Sequence, residues 1–319
     1  MLTNRVHLGV LMVCTAAAMW GFDGVVLTPR LYNLYVSYVV FMLHALPFIG
    51  MQFLLFGEYK KLRTLTRGDL FYFFLIALFG GAVGTLAIVK ALFLVQFKHL
   101  TVVALLQKLQ PVFAILLARI ILGERLGRQF LLWALIALMG GYCLTFETHH
   151  PVTVNSGQML PAAGYALLAA FSFGSATVFG KKVLNRVSFK TALFFRYGFT
   201  TLIMLVIVAM GGNFGQLSAT TPTNWLFFVI IGLTTGSGAI LLYYVGLRYI
   251  QANLATMCEL CFPISTVIFD YVINGSVLSP IQWASAICML VAIYRLSANQ
   301  ASAEMTQYTR SDRQALNPL

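Results

Sequence analysis

Two polar side chains occupy matching places in the chain, each four residues before a proline. Gln107 precedes Pro111 and Glu259 precedes Pro263, and a shift of 152 positions superposes one pair on the other. Residues four apart share one face of a helix. A polar or charged side chain within an apolar helix is costly enough to indicate a function. We therefore predict that Glu259 and Gln107 face a common polar site, with Glu259 as its main residue.

Other polar and aromatic residues in apolar segments extend this site. Their chemistry would be the binding of a small polar molecule and, for Glu259, the transfer of a proton. The predicted substrate-binding or coupling residues are Glu259, Lys108, Gln107, Gln110, Lys90, Asp23, Trp20, Tyr243, Tyr244 and His44. The predicted helix-bending residues are Pro111, Pro263, Gly84 and Gly236.

These residues also have structural interpretations. Lys90 with Asp23, or Lys108 with Glu259, could form ion pairs that tie helices together, and His44 could serve only packing. Two lysines and two acids leave the set formally balanced, which suits a zwitterion or a neutral polar solute. We predict an amino acid or a related zwitterion as the substrate. A phosphate site would need an excess of Lys or Arg, and a site for lipophilic cations would show acids without lysines.

Membrane helices must position these residues. Of the 319 residues, 60% are apolar and 9% are charged, whereas soluble proteins carry about a quarter charged residues. A helix that spans a bilayer needs about 20 apolar residues. Ten segments qualify: 8–28, 35–56, 70–94, 101–121, 128–146, 159–180, 189–210, 225–247, 251–272 and 279–297. The predicted fold is an all-α integral membrane protein with ten transmembrane helices.

The net charge of +12 comes from Lys and Arg between the apolar segments. This is the pattern that orients membrane helices, so we predict no nucleic-acid partner. With both termini in the cytoplasm, the outer loops hold only Arg30 and Lys98 as basic residues. Arg119 and Arg196 lie near inner helix ends, where we predict that their side chains reach the lipid headgroups.

An internal repeat relates the two halves of the chain. The same shift aligns Gly80 with Gly232 and Gly84 with Gly236, pairs of small residues that let helices approach closely. Each half holds five segments, an odd number, so the second half must be inverted, as in many secondary transporters. The predicted units are a five-helix repeat over 1–150, a second over 151–300 and a disordered cytoplasmic tail over 301–319.

The sequence resembles the ten-span EamA branch of the drug/metabolite transporter superfamily. The resemblance is carried by Ala-Ala-Ala-Met-Trp-Gly at 16–21, by 106–126 with its Leu-Gly-Glu-Arg-Leu end, and by the same order at 263–278. It implies a central cavity lined by the third, fourth, eighth and ninth spans. The family often places an acid after the glycine in both halves, whereas here Glu124 is matched by Ser276.

We therefore predict a secondary transporter that moves a small polar metabolite across a membrane, a bacterial inner membrane in this interpretation, by alternating access. The alternatives are a multidrug or cationic-compound efflux pump of the same fold and, from another class, a membrane-embedded enzyme. Because the chain has no catalytic, phosphate-binding or metal-binding motif, we predict no enzyme activity, metal or cofactor. Proton coupling and the choice between monomer and homodimer stay open.

Overall fold

The computed structural model describes residues 2–94, 106–107, 109–124, 127–146, 159–275 and 279–316, and these residues form helices and turns without any strand. The helices are α1 Leu2–Phe22, α2 Val36–Leu55, α3 Arg67–Ile76, α4 Gly84–Leu94, α5 Gln110–Leu117, α6 Arg128–Phe146, α7 Met159–Leu184, α8 Phe189–Met210, α9 Gln216–Ala219, α10 Pro222–Ile231, α11 Ser237–Tyr249, α12 Ala252–Cys258, α13 Cys261–Asn274 and α14 Pro280–Leu316. Wider π-helical turns are Asp23–Leu27, Ala77–Val83, Ala118–Leu122 and Gly232–Gly236, and 3₁₀ turns are Thr28–Leu31, Phe56–Arg63 and Asn213–Gly215.

Eight helical stretches of the described residues are long and apolar enough to cross a bilayer. They are Asn4–Leu31, Val36–Arg63, Arg67–Ala91, Leu160–Leu184, Phe189–Met210, Pro222–Tyr249, Ala252–Ile273 and Pro280–Ser302. Two shorter apolar helices, Gln110–Leu122 and Arg128–Cys143, lie where the fourth and fifth predicted spans were placed. The all-helical, multi-pass prediction is confirmed.

The outer surface of the helix bundle is strongly apolar. Phe53, Leu54 and Met210 expose 86%, 85% and 85% of their side chains. Soluble monomers rarely expose large contiguous apolar patches. Lipid chains are the solvent that suits such a surface, which agrees with the membrane setting.

The two halves share backbone features as well as residue types. Gly123 and Gly275 follow the ends of equivalent helices with φ angles of 70° and 71°, a conformation that favours glycine. The apolar stretch Arg67–Ala91 contains the π-helical turn Ala77–Val83, and the stretch Pro222–Tyr249 contains Gly232–Gly236. Under the shift of 152 positions the two glycines coincide and the two π-helical turns overlap.

Matching N-terminal caps begin α3 and α10. The hydroxyl of Thr66 accepts the N–H of Asp69, and the Asp69 carboxylate accepts the N–H of Thr66. Thr221 and Asn224 make the same reciprocal pair of bonds. Such a capping box satisfies N–H groups that have no partner inside the helix, so both spans start at defined residues.

Glycine lets two pairs of helices pack closely, α1 with α11 and α5 with α7. A Cβ atom added at Gly9 of α1 would lie 2.9 Å from the carbonyl oxygen of Gly246 in α11. One added at Gly174 of α7 would lie 2.8 Å from the carbonyl oxygen of Gln110 and 3.0 Å from the amide nitrogen of Ala114. The backbone of α5 therefore rests directly on α7.

Glu124 joins the end of the apolar helical stretch Gln110–Leu122 to the start of α12. Its carboxylate accepts the backbone N–H groups of Ala252 at 2.7 Å and Asn253 at 3.0 Å. These amides belong to the first turn of a helix, where N–H groups lack helical partners. Burial raises the pKa of the Glu124 carboxyl, while these two bonds oppose the rise. Its predicted counterpart, Ser276, lies outside the described residues.

The last helix differs from the expected disordered tail over 301–319. Helix α14 continues without interruption from Pro280 to Leu316. Residues 301–316 include three Ala, two Gln and two Arg, which favour helix, and no Gly or Pro interrupts the tail before Pro318. Local helix propensity therefore extends the helix beyond its apolar part.

We expect Gly174→Ala to destabilise the protein, because the added methyl group would collide with the backbone of α5. Overpacking of this kind costs about 1–3 kcal/mol, or roughly 2–10 °C in melting temperature. The measurement is thermal unfolding of the purified protein in detergent. Gly164→Ala in the same helix is the control, because nothing lies within 4 Å of its added Cβ. Equal melting temperatures for the two variants would contradict this account of the packing.

The stability contribution of Glu124 should depend on pH. Because folding raises the pKa of this carboxyl, the native state holds the proton more tightly, and the contribution is lost as the pH rises through the native pKa. The melting temperature of the wild type relative to Glu124→Gln should therefore be higher at about pH 5 than at about pH 8. A difference that is constant, or larger at the higher pH, would contradict the burial of this group.

Candidate functional site

Glu259 lies at a break between α12 and α13, not in a continuous helix. Pro263 has no N–H group, and its ring excludes the carbonyl of the residue four positions earlier, which is Glu259. The Glu259 carbonyl instead accepts the N–H of Phe262 at 3.0 Å in a tight turn. Pro111 stands in the first turn of α5, where a missing N–H costs nothing. The proline thus explains why the chain turns at Glu259.

Three neutral donors from three other helices converge on the Glu259 carboxylate. Gln110 Nε2 donates to Oε2 at 2.6 Å, Tyr243 Oη donates to Oε1 at 2.7 Å, and Thr177 Oγ1 donates to Oε1 at 3.0 Å. The hydroxyls of Tyr243 and Thr177 are also 2.9 Å apart. Hydrogen bonds to a charged group contribute more than neutral ones, so this cluster fixes the position of the carboxylate.

The three predicted aromatic residues lie together beside this cluster. The ring centroids of Trp20 and Tyr243 are 5.5 Å apart, and those of Tyr243 and Tyr244 are 6.0 Å apart. Tyr243 and Tyr244 are buried, whereas Trp20 is half-buried. One edge of the polar cluster is therefore aromatic.

Arg196 lies inside the bundle, and the prediction that its side chain reaches the headgroups is wrong. It is only 8% exposed. Its Nη1 donates to Tyr244 Oη at 3.1 Å and its Nη2 to the carbonyl of Gly80 at 3.4 Å. The guanidinium carbon lies 5.6 Å from the centroid of the Tyr244 ring. Room exists because Gly80 has no side chain, and a Cβ there would lie 3.3 Å from Arg196 Nη2.

A small cavity of about 50 Å³ opens at the break. Its walls come from α5, from α12 and α13, and from the turns that precede and join them, and it brings Gln107 and Glu259 together. The lining residues are Gln107, Gln110, Pro111, Thr256, Glu259, Leu260, Phe262 and Pro263. The amide that bonds the carboxylate directly belongs to Gln110 and not to Gln107, the repeat partner of Glu259. This volume has space for water molecules but not for a metabolite.

Lys90 does not join this cluster. It lies in a separate cavity of about 690 Å³ whose walls include the rings of Tyr32, Tyr35 and Tyr165. Ion pairs among the described residues join Glu58 to Lys61 and Asp69 to Arg186. Lys90 and Asp23 therefore form no pair, and Asp23 Oδ1 is buried without a hydrogen-bond partner in this part of the chain. Lys108 lies outside the described residues.

His44 makes contacts that suit packing. Its Nδ1 donates to the carbonyl of Val40 at 2.8 Å, and its ring centroid lies 5.2 Å from that of Tyr197. Tyr197 is the neighbour of Arg196 in α8. His44 therefore lies near the buried arginine, not at the Glu259 carboxylate.

Gly84 and Gly236 both adjoin π-helical turns. A Cβ added at Gly84 would lie 2.6 Å from the carbonyl oxygen of Phe79, and one at Gly236 would lie 2.8 Å from that of Ile231. The wide turns thus leave no space for a side chain at either position. Their role in bending stays a prediction.

Sequence reasoning missed Thr177 and misplaced Arg196. Thr177 lies in a run with Ser172 and Ser175 along α7, a cluster of hydroxyls within an apolar segment that could have drawn attention. Arg196 lies seven residues after the start of α8, about 10 Å along the helix, which is within reach of the headgroups. Only the facing Gly80, known from the fold, shows why it turns inward.

The chain is similar to known membrane transporters. Residues 7–146 and 160–298 match the EamA-like transporter family. The riboflavin transporter ImpX of Fusobacterium nucleatum subsp. nucleatum is 64% identical over 291 residues, which cover 91% of this chain and 97% of that protein. An uncharacterized transporter of Synechocystis sp. is 25% identical over 282 residues, 85% of this chain and 77% of that protein. A protein of known crystal structure has a TM-score of 0.67 at 15% identity, covering 91% of this chain and 98% of that one, and shows the fold alone.

These relatives correct one prediction and confirm two. An amino acid as the substrate is wrong, because the relative that is 64% identical is named for riboflavin, a vitamin. The resemblance to EamA transporters is confirmed, and the family indicates a transporter rather than an enzyme. Since the family matches extend over nearly the whole chain, the protein belongs to the EamA-like transporter family.

Proposed function

We propose that this protein carries riboflavin, or a closely related flavin, across the cell membrane. The observation that carries the proposal is the 64% identity to riboflavin transporter ImpX, over 91% of this chain and 97% of that protein. The apolar helices supply the membrane setting that transport requires.

The chemistry of the site suits a flavin. Riboflavin joins a flat aromatic ring system with polar edges to a chain of hydroxyl groups, and it is neutral near pH 7. The Glu259 carboxylate can accept hydrogen bonds from N–H or O–H groups, and Gln110 and Thr177 can both donate and accept them. Trp20 offers an aromatic face close by.

The site must open to admit such a ligand. Binding pockets for molecules of this size measure about 300–1,000 Å³, whereas the cavity at Glu259 holds about 50 Å³. We propose that the helices bend at Pro111 and Pro263 and at the wide turns beside Gly84 and Gly236. Each of these four residues lies next to the Glu259 cluster or in a helix that packs against the helices of the cluster.

We further propose ten spans arranged as two inverted five-helix repeats, one over 1–150 and one over 151–300. Support comes from two separate family matches, from the paired π-helical turns and from the paired left-handed glycines. The basic residues between the spans favour cytoplasmic termini in a cell membrane. Glu259 is our candidate for a proton carrier, since it is the acid at the centre of the cluster.

The transport proposal predicts riboflavin-dependent growth. The gene, expressed in a bacterium that neither makes nor imports riboflavin, should restore growth at micromolar riboflavin and produce uptake of the radiolabelled vitamin. Unlabelled flavins should compete with the label, whereas amino acids and a lipophilic cation should not. Uptake no greater than in cells with an empty vector would refute the proposal.

Glu259→Gln should reduce riboflavin uptake about tenfold or more, because bonds to a charged group contribute about 1.5–3 kcal/mol. Thr177→Val, which removes one of three donors, should have a smaller effect. Initial rates would be normalised to the amount of protein in the membrane. Glu58→Gln is the matched control, because Glu58 pairs with Lys61 away from the cluster. If Glu259→Gln transports riboflavin at the wild-type rate, the Glu259 carboxylate is not part of the transport site.

A further inference from the structure

Arg196 carries a buried charge that touches no acid among the described residues. Its bonds go to the hydroxyl of Tyr244 and the carbonyl of Gly80, both neutral groups. Its Nε is buried and has no hydrogen-bond partner in this part of the chain. A charge inside a membrane protein is costly unless an opposite charge balances it, so the position of that opposite charge needs an explanation.

The acids with described side chains leave one candidate. Glu58 and Asp69 are ion-paired to Lys61 and Arg186. Glu124 binds backbone amides at a helix start. Asp23 lies at the far end of α1, in a π-helical turn. Glu259 remains, and neighbouring tyrosines of α11 link it to Arg196, because Tyr243 contacts the carboxylate and Tyr244 contacts the guanidinium.

Two consecutive tyrosines connect the opposite charges. The Tyr243 hydroxyl donates a hydrogen bond to the Glu259 carboxylate at 2.7 Å, and the Tyr244 hydroxyl accepts a hydrogen bond from Arg196 at 3.1 Å. Both rings project from α11, with centroids 6.0 Å apart. The positive hydrogen end of the Tyr243 O–H dipole thus faces the negative carboxylate, and the negative oxygen end of the Tyr244 dipole faces the positive guanidinium.

We propose that Arg196 is the counter-charge of Glu259, held at a distance by the Tyr243–Tyr244 pair. Arg196 is a positioning residue: it balances the carboxylate charge from across α11 without contacting it. This assignment does not depend on which molecule the protein transports. Its physical consequence is that neither charge can be removed alone without leaving the other uncompensated in a medium that solvates charge poorly.

A thermal-unfolding cycle on the full-length protein in detergent tests the pair. Arg196→Gln and Glu259→Gln should each lower the melting temperature, and the double variant should melt above Arg196→Gln alone. If the single variants yield no monodisperse protein but the double variant does, that outcome also supports the pairing. Additive losses would overturn the proposal. Arg119→Gln, which removes an exposed arginine, is the control and should leave the wild-type value and the Glu259→Gln value unchanged.

The conservative variant separates charge from packing. With Glu259 present, Arg196→Lys should melt above Arg196→Gln, because it keeps the positive charge. In the Glu259→Gln background the order should reverse, because the lysine charge would then be unpaired. A packing role predicts the same order in both backgrounds and would contradict the pairing.

Lys108 is the rival partner, and it lies outside the described residues. Lys108→Gln combined with Glu259→Gln should show additive losses if Arg196 is the counter-charge. Rescue by Lys108→Gln instead would overturn the assignment. Because melting needs no substrate, a failed riboflavin assay with an intact Arg196–Glu259 cycle would reject only the transport proposal.

Discussion

The position of the Glu259 carboxylate inside an apolar helix bundle is the constraint on which the centre of this protein depends. A charge within a lipid-embedded bundle must be satisfied by the protein itself. The break before Pro263 exposes the carboxylate, and Gln110, Thr177 and Tyr243 bring donors to it from three helices. Those helices can approach closely only where side chains are small, as at Gly174. The glycines therefore allow the packing that brings the three donors within hydrogen-bond distance of the carboxylate.

Much of the fold could be predicted from composition and spacing. Apolar segments of sufficient length identify membrane helices, and the proline four residues after Glu259 marks the place of its carboxylate. The partners could not be predicted in the same way. Thr177 and Arg196 come from helices far away in sequence, and an almost uniformly apolar helix gives no periodicity that tells which face meets which neighbour.

The incorrect prediction of an amino acid as the substrate also has a physical explanation. Counting Lys90, Lys108 and Asp23 as members of one cavity suggested a balanced set of charges and hence a zwitterion. The structure separates Lys90 into a cavity of its own and surrounds Glu259 with neutral donors. Charge counted along a sequence does not show which charges share a space, and neutral donors agree better with the proposed uncharged vitamin.

The two carboxylates that join distant parts of the chain differ in what would follow if their bonds broke. At Glu259 the lost bonds can be replaced by the few water molecules that its small cavity can hold, by another side chain or by a ligand. Glu124 lies beyond the end of the apolar stretch Gln110–Leu122, where water outside the membrane can supply hydrogen bonds in place of the amides of Ala252 and Asn253. Glu124 therefore joins two helix ends through hydrogen bonds that can break and re-form, as such bonds must do whenever the two ends move apart.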